Sequence, residues 1–246
     1  MATLLILGSK AAPVLPPRAA YDDVACANAS GFSAAKHGLP IPAYTVMTAV
    51  LTSGKPEDAH SLQALRNLAT RDLYFLARPA PRGGPLKRLR THLKQWRLKP
   101  FHMRHQLRRI GYRYERFVVR PSAHYHALMR TLCDDAPDVV AAIAAKQPST
   151  GMFTLAIGIG ERGYDRFILS GFDFGLSHAY GENPLIRTRG TTASKHADTD
   201  IAIVRHLASR YDVVTTEPSV HQRAGVPLLA ESGNMAAECG KGALVP

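Results

Sequence analysis

The sequence predicts an α/β protein built on one doubly wound, Rossmann-like sheet, with a basic helical insertion or lid. Three observations lead there. Apolar runs of strand length alternate with stretches of helical periodicity. Glycine, hydroxyl, amide and titratable residues cluster where those runs end or begin, the places where α/β proteins bind ligands. The excess of positive charge is confined to residues 82–120, which hold 13 Lys and Arg against one acid, Glu115. That segment accounts for the whole net charge of +12, and the rest of the chain is formally neutral.

In order, residues 3–7 (TLLIL) read as a first buried strand running into Gly8. Strands are also expected at 23–27, 43–48 and 72–76, with a helix over 57–69. In the basic segment Gly83-Gly84-Pro85 opens a new unit and Pro100 breaks it. Between them Leu86, Leu89, Leu93 and Trp96 recur at helical spacing, interleaved with Lys and Arg. Alternation then resumes. Helices are expected at 124–134, 137–146, 152–161 and 199–209, and strands at 165–170 and 212–215. The small residues of 152–161 predict close packing. The organisation expected is one domain over 1–230 and a loose tail over 231–246.

At 246 residues the chain suffices for one large domain, and its hydrophobic share of 46% is that of a globular protein. No apolar run reaches the roughly 18 residues of a membrane span. Cys26, Cys133 and Cys239 have neither metal nor redox spacing, which fits a reducing cytoplasm.

The chemistry-bearing residues lie mainly in 148–200. Pro148-Ser149-Thr150-Gly151 has the form of a helix start, where a hydroxyl caps and free N–H groups attract an anion. Gly8-Ser9 and Asn28 follow the first two strands, as turns or as groups that approach a phosphate or ribose. Asp173 follows a later strand. His178 and Tyr180 share a loop and can donate to a departing phosphate. His196 precedes a helix start and can take a proton from an alcohol near neutral pH. Asp198-Thr199-Asp200 is formally a metal-binding DxD, although acids at a helix start read first as caps.

Taken in order, the PSTG helix start, the LSGFDF strand end, the SHAY loop and the KHADTD helix start resemble the sialyltransferases. PSTG looks like the small sialyl motif of the animal enzymes, SHAY their His-Tyr motif, and His196 the histidine of their very small motif. The spacing, with SGFDF and TDI, is closer to bacterial sialyltransferases of the lipooligosaccharide type, whose nucleotide-binding strand ends LLILGS and CANAS also resemble. The resemblance spans 3–50 and 148–217, about half the chain. It implies a variant Rossmann, GT-A-like fold and an inverting transferase that needs a CMP-activated acidic sugar, a glycan acceptor and no metal cofactor. Gly8, Ser9 and Asn28 would contact the nucleotide, and Ser149, Thr150, Gly151, Gly171 and Phe174 would line the cytidine and phosphate pocket. His196 would be the base, and Tyr180 with His178 would stabilise the leaving CMP. Three departures stand out: Gly175 replaces one of two tyrosines, Lys195 competes with His196 for the histidine register, and Thr48 is nearest to a third strand-end Asn. Sialic acid and Kdo, both CMP-activated keto-acid sugars, remain alternative donors.

The basic segment reads either as a helix lying on an anionic membrane or as a lid packed by its Leu and Trp face. The first reading makes the protein cytoplasmic and peripheral on the inner membrane. Two rival functions remain: a metal-dependent nucleoside-diphosphate-sugar transferase using Asp198 and Asp200, and a nucleic-acid or membrane binder with an inactive core. Nucleic-acid binding would explain 82–120 but leave 148–200 without a role.

Overall fold

A computed structural model describes residues 1–78, 84, 86, 90, 95–175 and 194–229. Its β-strands are β1 (Thr3–Leu7), β2 (Asp23–Ala27), β3 (Tyr44–Thr48), β4 (Ala69–Ala77), β5 (Arg113–Pro121), β6 (Arg166–Ser170) and β7 (Asp212–Thr215). They form one sheet in the order β5-β4-β3-β2-β1-β6-β7, with every neighbouring pair parallel. The chain steps outward from β1 to β5, then crosses back to place β6 on the other side of β1. The strand order reverses between β1 and β6, and at such a switch point a doubly wound sheet opens a crevice at the strands' C-terminal ends.

Strand residues alternate between two apolar layers. Leu4, Ile6, Tyr44, Val46, Phe167 and Leu169 face a core shared with helices α4 (Ser122–Leu132), α5 (Pro137–Ala145), α6 (Thr150–Glu161) and α7 (Ala197–Ala208). On the other face Leu5, Leu7, Val24 and Ile168 pack with Ala34 of α1 (Gly31–Lys36). Met47, Leu73 and Phe75 on that face pack with Leu62 of α2 (Pro56–Gln63) and with Met103 and Leu107 of α3 (Pro100–Arg109). Both faces are covered, which is why β1 is an unbroken apolar run rather than an alternating one. Helix α6 lies almost wholly inside. A Cβ on its Gly158 would approach Leu4, Phe167 and Tyr44 to 3.0 Å, so the expected close packing is present.

Three elements differ from expectation. The helix expected over 57–69 stops at Gln63, because Asn67 takes a left-handed φ of 61° and Ala69 already belongs to β4. Pro100 also opens a helix that was not expected, α3: Lys99 before it is extended, and proline fits a first helical position, where no N–H is needed. The basic segment is not one helical insertion, because residues 100–121 supply α3 and the edge strand β5 of the sheet itself. The expected helix through Leu89 and Leu93, and the tail 231–246, lie outside the described residues. A short helix α8 (Pro218–Ala224) follows β7.

Candidate active site

The C-terminal ends of β1, β2, β3, β4 and β6 and the starts of α6 and α7 surround a cleft of about 770 Å³. Gly8, Ser9, Asn28, Ser149, Thr150, Gly151, Gly171, Phe174 and His196 all line it. Residues drawn from five separate stretches of sequence therefore meet in one place. His178 and Tyr180 lie outside the described residues.

Gly8 and Gly171 form the floor. The Gly8 N–H donates to the Ser170 carbonyl at 2.8 Å, and the Lys10 N–H to the Gly171 carbonyl at 3.0 Å. A Cβ on Gly8 would stand 2.2 Å from the Gly171 oxygen, so the approach requires glycine there. Gly171 has a φ of 72°, again a glycine conformation. Below them is Glu217, whose side chain is fully buried. Its Oε1 accepts the Gly171 N–H at 2.8 Å and the Val14 N–H at 2.9 Å, and its Oε2 meets Lys10 Nζ at 2.5 Å. One carboxylate thus joins the ends of β1, β6 and β7. Sequence reasoning missed Glu217: its partners Val14 and Lys10 lie 203 and 207 residues away, and no local pattern marks it.

Asn28 joins three elements. Its Oδ1 accepts the Thr48 N–H at 3.1 Å and the Thr48 hydroxyl at 3.3 Å, and its Nδ2 donates to Thr150 Oγ1 at 2.8 Å. The backbone reaches this pose through a φ of 51°, which Asn tolerates better than most residues. Its amide therefore ties β2, β3 and α6 together and keeps one N–H for a ligand.

At the start of α6 the expected cap is replaced. Ser149 occupies the N-cap position, but its hydroxyl makes no capping bond. The Ser149 N–H instead donates to Asp200 Oδ1 at 2.8 Å, and its hydroxyl also bonds that carboxylate. The N–H groups of Thr150 and Gly151, in the first turn, have no acceptor within the helix. They remain suited to an anion in the cleft. The Phe172 ring lies on Gly151, where a Cβ would come within 2.4 Å of it. Phe174, 7% exposed, forms an adjoining wall with Arg223 over its ring. Gly175 has Asp173 where a larger side chain would go: its N–H donates to Asp173 Oδ1 at 2.7 Å.

The start of α7 also differs from the sequence reading. His196 is the N-cap residue, and neither Asp198 nor Thr199 caps the helix. Asp198 is exposed whereas Asp200 is buried against the start of α6. Positions two apart on a helix point to opposite sides, so the two acids do not form a metal-binding pair. Among the described residues no cluster of three or more His, Cys, Asp or Glu could hold a metal ion. Burial pushes the Asp200 carboxyl up to about 7, against the lowering effect of its Ser149 bonds.

His196 Nδ1 lies 2.5 Å from the Gln147 carbonyl oxygen. A carbonyl only accepts, so Nδ1 carries the proton and Nε2 is left with its lone pair. Burial lowers the imidazole pKa from its usual 6.5, with Lys195 and Lys146 adding to that effect and the Gln147 bond opposing it. The ring is therefore neutral at neutral pH, as a general base must be. Arg78, Gln95 and Thr48 also line the cleft; of these the sequence had pointed only to Thr48.

No protein-family model matches the chain, and no curated protein matches it in sequence. Solved structures match it in fold. The sialyltransferase CstII from Campylobacter jejuni in complex with cytidine-5'-monophosphate is 15% identical, with a TM-score of 0.53 over 93% of this chain and 85% of that one. The same enzyme with CMP-3FNeuAc gives 15% identity and a TM-score of 0.51 over the same shares. CST-II with a trisaccharide acceptor and CMP gives 14% and 0.51, over 91% of this chain and 85% of that one. The parallel seven-stranded sheet and its flanking helices are thus the GT-A-like fold of those sialyltransferase structures.

Proposed function

We propose that the protein is an inverting glycosyltransferase that moves an acidic keto-sugar, sialic acid or a Kdo-like sugar, from a CMP donor to a hydroxyl of a surface glycan such as lipooligosaccharide. The observation that carries this reading is the pairing, in one cleft, of a neutral His196 with a nucleotide-sized cradle at the switch point of this fold. The fold, shared with CMP-bound sialyltransferases, and the ordered sequence clusters support it.

In the proposed reaction the cradle of Gly8, Asn28, Thr150, Gly151 and Gly171 holds the nucleotide. His196 Nε2 takes the proton from the acceptor hydroxyl as its oxygen attacks the anomeric carbon. The bond to the phosphate oxygen breaks from the opposite side, which inverts the centre, and CMP leaves with the bonding pair. Tyr180, assisted by His178, donates to that phosphate. A monophosphate leaving group has less charge to neutralise than a diphosphate, so the scheme uses no metal. The protein would work in the cytoplasm, peripheral on the inner membrane. Among the described residues no helix is long and apolar enough to cross a membrane.

Thermal unfolding with nucleotides tests this. CMP or CDP should raise the midpoint without divalent metal, and UDP and GDP should not. Stabilisation by UDP that depends on a metal would overturn the reading.

A further inference from the structure

The outer face of α3 has no role in the cleft. Phe101, Arg104, His105 and Arg108 stand at positions i, i+3, i+4 and i+7, so they share one side of the helix. All four are exposed. The opposite side, with Met103 and Leu107, is buried against Leu73 and Phe75 of β4. The outward face of α3 is mixed, apolar at its start and cationic along its length. Phe101 is 61% exposed, and Trp96, in the turn Trp96–Leu98 just before the helix, is 46% exposed. Residues 95–120 carry eight Lys and Arg and one acid, Glu115.

The turn that leads into α3 adjoins the cleft. Gln95 lines the cleft, and Trp96 follows it directly. The turn Ala49–Thr52, of which Ala49 and Val50 also line the cleft, packs against both α3 and the Trp96 turn. The Thr52 hydroxyl donates to the Arg97 carbonyl at 2.8 Å.

We infer that α3 and the Trp96 turn dock the enzyme on an anionic lipid bilayer, with Phe101 and Trp96 entering the headgroup–acyl boundary and Arg104, Arg108 and their neighbours meeting lipid phosphates. A convex helix face with aromatic residues at one end and cations along it suits an interface. A single-stranded nucleic acid would be met by a groove with aromatic residues spaced along it. The inference rests on the proposed function in one respect: a glycan acceptor anchored in lipid explains why the docking face adjoins the cleft.

The test is co-sedimentation of the full chain with vesicles of pure phosphatidylcholine, or with about a third phosphatidylserine, at low and high salt. Binding should need the anionic lipid and fall with salt. Arg108→Gln should weaken it about fivefold, the loss expected for one basic residue at the surface. Phe101→Ser should weaken the part that survives high salt. Neither variant should change the thermal shift given by CMP, which shows that each folds with its cleft intact. Equal binding to neutral vesicles, no binding, or unchanged binding by both variants would overturn the inference. So would tighter binding to single-stranded RNA, weakened by the same substitutions. Vesicle binding without a CMP shift would sink the proposed function and leave the docking face standing.

Discussion

The Asn28 side chain donates to Thr150 Oγ1 at 2.8 Å across 122 residues of sequence, and through this bond the end of β2 holds the first turn of α6. Two properties of Asn28 can be separated by substitution: its amide bonds and its left-handed backbone. Asn28→Gly removes only the bonds and should cost about 1–3 kcal/mol. Asn28→Ala also forces a Cβ into the left-handed region and should cost about 1 kcal/mol more. Urea denaturation should rank glycine above alanine, the reverse of the usual order outside turns. Equal stability of the two would show that the backbone pose is unimportant.

Lys10 and Glu217 should behave as a coupled pair. Lys10→Met leaves the fully buried Glu217 carboxylate without its cation and should cost about 3 kcal/mol. Lys10→Met combined with Glu217→Gln removes the charge as well and should recover much of that loss. A double variant as unstable as the sum of the two singles would mean that no coupling exists.

His196→Ala should lower the transfer rate by about 10²–10⁴-fold while CMP still raises the unfolding midpoint. Under the proposed function, kcat/KM of the unaltered protein should climb with pH and level off, with its midpoint below the ordinary histidine value of 6.5. Retained activity in His196→Ala, with loss in Lys195→Met, would move the role of base to Lys195.

Asp200 sets a stability trend opposite to that of most carboxylates. Its folded pKa of about 7 lies above the ordinary 3.8 because burial disfavours the charge. Its contribution is therefore complete below 3.8 and is lost as pH rises through about 7. At about 1.4 kcal/mol per unit the swing is on the order of 4 kcal/mol at most. Asp200→Asn, which keeps an acceptor for the Ser149 N–H, should remove that swing and be the more stable protein above pH 7. Parallel stability–pH curves for the two proteins would show that folding leaves the Asp200 pKa at its ordinary value.

Much of the fold was legible because buried parallel strands announce themselves. TLLIL, DVACA and DVVT are apolar-rich runs of strand length, and each appears as a strand with its expected bounds. β5 was not legible. An edge strand with three arginines is exposed along most of its length, so its sequence carries charge where a central strand would carry a core pattern. α8 was hidden for another reason: seven residues hold too few helical repeats to read. In the cleft, short polar clusters pointed to Gly8, Asn28, Thr150, Gly171 and His196 because each stands at an element boundary. What Ser149, Asp198 and Asp200 do there was misread, since a capping pattern assumes that a side chain serves its own helix. Asp200 serves the neighbouring one.

The first turn of α7 grips the strand of backbone leading into α6 at two points: His196 takes the Gln147 carbonyl, and Asp200 takes the Ser149 N–H. Three residues of one segment are thereby clamped by five of another. The two bonds tie His196 to the start of α6, so the spacing between its ring and the first-turn N–H groups of Thr150 and Gly151 is set by the backbone. Under the proposed function, acceptors of different length would be sorted by the walls at the mouth of the cleft rather than by a shift of His196.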